Sequence, residues 1–303
     1  VCDRSGWYCA LYYLTKQHFT VILAFILNLE VINISLKEQK YKSNVSFLKR
    51  YGLPGNEKLK LTTMACVRNS GIEDDSEDNS IVGIRGTVND EKIERSISRS
   101  RSTIFELAYC NEWDYFATLT IDPDKYDRTD LDGFHKILTQ FFRNYGRKFD
   151  TKIDFLLVPE LHQDGKNWHL HGFFKGIPPE ELQPFKIGDK MGKHIAEKLK
   201  NGETIYNWLA YAKRFGFCDL EPIRNHEACS KYITKYINKS LASSVKKLNA
   251  HLYYASRGLK RGTTLKKGLL TENIIPDYVG DYCSVTTFPF SPEMEEFLKN
   301  SII

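Results

Sequence analysis

The apolar positions of this chain change period along its length. From residue 90 to 109 they recur at helical spacing, with Ile93, Ile97, Ile104, Leu107 and Ala108 on one side. Arg95, Arg99 and Arg101, interleaved with serines, form another side, which suits either a solvated face or DNA backbone contact. Tyr115 to Ile121, YFATLTI, is β-branched and aromatic and reads as a strand, closed by the turn Asp122-Pro123-Asp124. Helical spacing returns at Leu131, Phe134, Leu138, Phe141, Phe142 and Tyr145, with Thr129 placed to cap it. Two further apolar runs, Ile153–Glu160 and Trp168–Phe174, read as strands, and Phe215–Ile223 as another. Strand, helix, strand, strand predicts an α+β palm, a central antiparallel sheet with helices on one face.

Chemistry concentrates between Val158 and Gly176. The run FLLVPE ends in Glu160, and HQDGKN, with its Asp-Gly pair, suits a hairpin turn before His169. His169 and His171 are two residues apart, so on a strand both imidazoles face one way while Leu170 faces the core. The hairpin returns Glu160 beside them. One carboxylate and two imidazoles can hold a divalent cation with coordination positions left open. The same spacing also occurs on ordinary solvent-facing strands, so a second constellation is what gives it weight.

That second constellation is CSKYITKYINKS. Ser230 to Leu241 lacks Gly and Pro, and the spacing predicts one helix. Tyr232, Lys235, Tyr236 and Lys239 fall within one stripe, and Ile233, Ile237 and Leu241 fall on a core face. Taken alone, the stripe is equally a solvated basic face. Taken with the histidines, it is a site for phosphodiester chemistry, because a metal can polarise the phosphate and a phenol can attack it in line. A free phenol has a pKa of about 10, so the attack needs a nearby cation or base.

His169-Leu170-His171 resembles the His-hydrophobic-His signature of HUH endonucleases. Tyr232-Ile-Thr-Lys235-Tyr236 resembles the nucleophile motif of two-tyrosine rolling-circle initiators of phage type. Phe116-Ala-Thr-Leu-Thr120 resembles their first motif, and the three stand in the family's order between about Ile97 and Arg261. The resemblance implies an HUH/RRM-like palm and site-specific nicking and joining of single-stranded DNA through a 5′-phosphotyrosine. It implies Mg²⁺ or Mn²⁺ on Glu160, His169 and His171, although two histidines also suit Zn²⁺. Catalysis falls to Tyr232 and Tyr236, with Lys235 and Lys239 at the phosphate. The implied partners are single-stranded DNA or a hairpin origin, a host helicase and a host DNA polymerase, in a bacterial cytoplasm. A related HUH transposase or relaxase, or a DNA-binding regulator without catalysis, are the alternatives. Common relaxases carry their tyrosine before the histidines, whereas here it follows them.

Composition adds limits. The 303 residues carry 27% charged and 42% hydrophobic side chains and a net charge of +5, ordinary for a globular protein and only mildly basic. Seven cysteines, with no C-x-x-C pair, fit reduced thiols. The run Val21–Leu27 is too short to span a membrane and reads as a buried strand or helix. Residues 71–79, GIEDDSEDN, read as a linker. Gly188-Asp-Lys-Met-Gly192-Lys193-His194 imitates a phosphate loop, but its glycines stand one residue too close and His replaces Ser or Thr, so no helicase motor is expected. Beyond the tyrosine helix, Lys246, Lys247, Arg257, Lys260, Arg261, Lys266 and Lys267 alternate with His251, Tyr253 and Tyr254. They suit a solvated basic edge or phosphate contact with base stacking. Ser291-Pro292-Glu293 starts a short C-terminal helix. Three segments are expected: 1–80 as an N-terminal extension, 81–265 as the nuclease domain and 266–303 as a tail.

Overall fold

The computed structural model describes residues 41–42, 45–64, 67–68, 90–162, 164–237, 252–280 and 283–303, with backbone alone at 41–42, 67–68 and 90–95. The run Val21–Leu27, the acidic stretch 71–79, Lys239, Leu241, Lys246, Lys247 and His251 lie outside these residues, as do the side chains of Ile93 and Arg95. Two compact units form, residues 1–43 with 66–74, and residues 44–65 with 75–303.

The strands, in chain order, are β1 (Tyr41–Lys42), β2 (Val45–Tyr51), β3 (Lys58–Met64), β4 (Val67–Arg68), β5 (Tyr115–Thr120), β6 (Asp154–Leu161), β7 (Trp168–Lys175), β8 (Leu182–Pro184), β9 (Tyr206–Trp208), β10 (Cys218–Pro222), β11 (Tyr254–Ala255), β12 (Thr263–Leu269), β13 (Tyr278–Val279) and β14 (Cys283–Pro289). The helices are α1 (Asp90–Tyr109), α2 (Leu131–Lys148), α3 (Lys193–Lys200), α4 (Leu209–Arg214), α5 (His226–Tyr232) and α6 (Pro292–Asn300). In the smaller unit, β1 pairs antiparallel with β4.

In the larger unit the order β11-β6-β7-β5-β10-β9-β8 forms a seven-stranded antiparallel sheet. The architecture is α+β, as expected, but helices cover both faces of the sheet. The reason lies in the strands, which are apolar on alternate residues in both phases. Leu119, Leu157, Leu170 and Phe174 enter one core with Phe134, Leu138, Phe141 and Phe142 of α2. Leu156, Val158 and Phe173 enter another with Ile97, Ile104 and Leu107 of α1. A strand that is apolar on both sides needs cover on both sides.

Helix α2 is capped by Asp130, whose Oδ1 accepts from the Gly133 N–H at 3.0 Å. Thr129, the cap expected from the sequence, instead holds Asp127, donating through both backbone N–H and hydroxyl. A carboxylate at this end also suits the helix dipole. Phe215–Ile223 narrows to β10, and the Pro-containing stretch before it forms a 3-10 turn, β8, α3 and β9.

A second sheet, β12-β2-β3-β14-β13, draws its strands from both ends of the chain. Leu48, Leu59 and Leu61 pack on Leu298 of α6 and on Ile302. On its other face Tyr51 meets Phe105 and Tyr109 of α1, and Lys49 pairs with Glu106 at 3.3 Å. Helix α1 therefore lies between the two sheets. No described helix is long and apolar enough to cross a membrane.

Candidate functional site

The β6–β7 hairpin fixes three of the residues singled out above. Asp164 opens its turn by accepting from the N–H groups of Lys166 and Asn167, and Gly165 takes a left-handed φ of 70°. The register sets Glu160 opposite His169 and Val158 opposite His171. Gly172 is obligatory in this pairing, because a Cβ there would lie 1.9 Å from the Leu156 carbonyl oxygen. By strand alternation His169, His171 and Glu160 share the face that packs toward α1 and α5, while Leu170 enters the opposite core. His171 Nε2 stands 2.8 Å from Glu160 Oε2. His169 points the same way, but its Nε2 contacts Arg128 Nη2 at 3.3 Å.

The tyrosines arrive on a different helix from the one expected. Instead of one helix over Ser230–Leu241, α5 begins at His226, where the Asn225 side chain accepts from the Ala228 N–H at 2.9 Å. After Tyr232 the chain tightens into a 3-10 turn, Ile233–Tyr236, and Ile237 leaves it extended. The Asn cap starts the helix upstream, and the tighter turn brings Ile233, Tyr236 and Ile237 into one core. Tyr236 is buried and its ring lies flat on the His171 imidazole, 4.2 Å between centroids at 6°. Tyr232 is 46% exposed and rests edge-on against Phe116 of β5. The Tyr236 hydroxyl donates to the Tyr232 oxygen at 3.2 Å. Lys235 Nζ lies 3.6 Å above the Tyr232 ring and 4.7 Å from that of Tyr236. Two phenols and one ammonium thus sit over the histidine and carboxylate face.

Electrostatics sort these groups. Burial, with His162, His171 and Arg128 nearby, pushes His169 down to about 4, so its imidazole is neutral at pH 7. The hydrogen bond from His171 holds the Glu160 carboxyl below its ordinary value, aided by Lys235 and His169. Burial, then the Tyr232 hydroxyl and the Glu160 and Asp219 charges, hold Tyr236 far above an ordinary phenol. Two buried nitrogens of the site have no hydrogen-bond partner among the described residues, His171 Nδ1 and Arg128 Nε.

Three acidic and basic neighbours escaped the sequence reading. Among the described residues the one trio of carboxylate and imidazole groups whose ligand atoms lie within 4.8 Å of one another is His194, Asp219 and Glu221. Glu160, His169 and His171 are less tightly drawn together. Asp219 and Glu221 alternate along β10 just as the histidines do along β7. That i, i+2 pattern was the available signal. His194 comes from α3, through a connection no local pattern reveals. Arg128 lies in a loop and carries no periodicity.

Asp219 is 2% exposed, and burial with Glu221 beside it raises its carboxyl from 3.8 to about 7. A raised carboxyl contributes its stability below the unfolded value and loses it as pH climbs through the folded value. Asp219→Asn keeps the shape and removes that loss. At pH 8 the variant is expected to be more stable than the parent by on the order of 3–4 kcal/mol, and at pH 3.5 nearly equal to it. Urea denaturation at the two pH values checks this; an equal change at both would contradict the assignment.

The fold and site together define an α+β protein whose antiparallel sheet carries two histidines and a carboxylate beneath paired tyrosines. Residues 114–241, from just before β5 through the tyrosine turn, match the family model of replication-associated protein ORF2. The match supports a replication initiator family. No curated protein and no solved structure matches the chain.

Proposed function

We propose that this chain is a rolling-circle replication initiator of the HUH endonuclease type. It binds an origin hairpin or single-stranded DNA in the cytoplasm of a bacterial host, cuts one strand and later rejoins it. The observation that carries this reading is the seating of Tyr236 flat on His171, with its hydroxyl 3.2 Å from that of Tyr232. Both lie within the stretch matched by the replication-associated family.

The residues suit a divalent cation. A carboxylate and an imidazole are in contact at 2.8 Å, the second imidazole is held neutral, and His171 Nδ1 is buried without a partner. Glu160, His169 and His171 would hold Mg²⁺ or Mn²⁺, which when bound supplies Lewis-acid polarisation of the phosphate. The chain's own groups do the rest. The Tyr232 oxygen, being the exposed phenol, forms a bond to phosphorus while the bond from phosphorus to the 3′ oxygen breaks. The phenolic proton passes to a neighbouring base or solvent, and the 3′ oxygen leaves as a hydroxyl after taking up a proton. The product is a 5′-phosphotyrosine and a primer end for a host polymerase, with a host helicase unwinding ahead. Lys235 favours the phenolate by its position over the ring, and Lys239 is proposed to assist at phosphate. Tyr236 serves the second transfer. The phosphodiester energy is kept in the tyrosyl link, so joining needs no ATP.

Incubating the protein with a randomised single-stranded DNA library and Mn²⁺ tests the reading. The expected result is a denaturant-resistant protein–DNA adduct and a 3′ end that a polymerase extends, both lost in excess chelator. Cleavage that persists in chelator, or cleavage with no adduct, contradicts it.

A further inference from the structure

On the sheet face away from the tyrosines, a groove of about 850 Å³ opens between α2 and the segment around β11. β11 is the edge strand, paired with β6, whose far end bears Glu160. The rim carries Arg143 and Arg147 of α2 and Arg257, all exposed. None of the three is in an ion pair among the described residues, whereas Lys152 beside them is neutralised by Asp154 at 2.6 Å. Asp150 is the acidic residue in the lining. Arg143 and Arg147 are one helical turn apart, roughly 6 Å along the axis, a spacing that reaches neighbouring phosphates of one strand.

The groove offers cations but no free ring. Phe142 and Phe155 are 3% and 5% exposed, and the His135 ring is already stacked on Tyr254 at 3.8 Å. Single-strand binders pair a basic path with open aromatic platforms for unstacked bases. A site with guanidinium groups alone reads the outside of a duplex, through phosphates and without sequence.

We infer that this groove holds a double-stranded arm of the DNA whose single-stranded part lies over the tyrosines. The inference rests on the initiator reading only for the identity of the polyanion as DNA. Along β6, Phe155 in the groove and Glu160 at the site are five residues apart, roughly 17 Å. That is about five stacked nucleotides at 3.4 Å each. The arm is thus gripped from behind while the strand rounds the β11 edge.

The test compares R143Q/R147Q/R257Q with the parent by fluorescence anisotropy across salt concentrations. The ligands are a 20-base-pair duplex with a ten-nucleotide single-stranded tail and the tail oligonucleotide alone. K186E/K190E/K200E serves as a charge control at other exposed positions. The groove variant is expected to bind the tailed duplex roughly 10- to 100-fold more weakly at physiological salt. Its log K against log salt slope is expected to fall by about 2 to 3, near 0.9 for each phosphate no longer neutralised. Its affinity for the tail alone should change by less than about twofold, and so should its covalent adduct with the tail. Unchanged duplex affinity and slope overturn the inference. So does equal weakening of both ligands, or the same loss in the charge control. The measurement needs no cleavage, so absence of nicking would sink the catalytic reading and leave this one standing.

Discussion

The double variant Y232F/Y236F forms no covalent DNA adduct, and its cleavage rate falls by at least about 10⁴-fold, the scale on which removing a nucleophile acts. The two single variants divide that loss unequally because the phenols are not equivalent. Tyr232 is half exposed and receives the hydrogen bond, whereas Tyr236 is buried, donates it and is held far above an ordinary phenol. Y232F therefore removes the first adduct or diverts it to Tyr236. Y236F keeps the attacking oxygen but loses a donor to the developing phenolate, worth about 1.5–3 kcal/mol, so nicking slows about 10- to 100-fold. Release of a closed circle should fail outright in Y236F, since the second transfer then has no phenol. Mass spectrometry of the trapped adduct locates the link. DNA found on any other residue, or an adduct formed by the double variant, removes this helix from the chemistry. Both replacements leave the rings in place, so the stack on His171 and the edge contact with Phe116 survive as controls for folding.

Where a residue's role is set by period alone, the sequence makes it legible. Alternation puts His169, His171 and Glu160 on one face of β6–β7, and the Asp-Gly pair marks the turn that registers them. Helical spacing finds α1 and the core side of α2. Local pattern fails where a competing interaction decides. Asn225 starts α5 before the stretch that looks helical, and a 3-10 turn follows because Ile233, Tyr236 and Ile237 share one core. Asp130 takes the cap from Thr129. The contacts of Arg128 with His169, of His194 with Asp219, and of β2 with β12 join residues far apart in the chain. A one-dimensional reading has no term for such pairings. The same reading places helices on one face of the sheet, because it weighs each strand's stronger phase and overlooks that Phe116, Leu156, Val158 and Phe173 are apolar in the other.

H169A/H171A loses at least about 10³-fold in cleavage while its affinity for single-stranded DNA stays within about threefold. The two outcomes separate because the imidazoles act where charge develops, whereas affinity comes from phosphate contacts elsewhere on the surface. His169, neutral at pH 7 and in contact with Arg128, has little packing to lose. His171 is buried under Tyr236, so its removal leaves a gap beneath that ring and costs stability as well. H169A alone therefore gives the cleaner test of chemistry. It should cleave poorly with an unchanged melting temperature, and H171A should cleave poorly with a lower one. Mn²⁺ titration followed by electron paramagnetic resonance gives an independent readout: tight binding present in the parent is absent from H169A/H171A and from Glu160→Gln. If H169A/H171A cuts at more than a tenth of the parent rate, or binds Mn²⁺ as the parent does, the histidine face is a packing surface for Tyr236. The phosphate would then have to be activated by Lys235 and the carboxylates of β10.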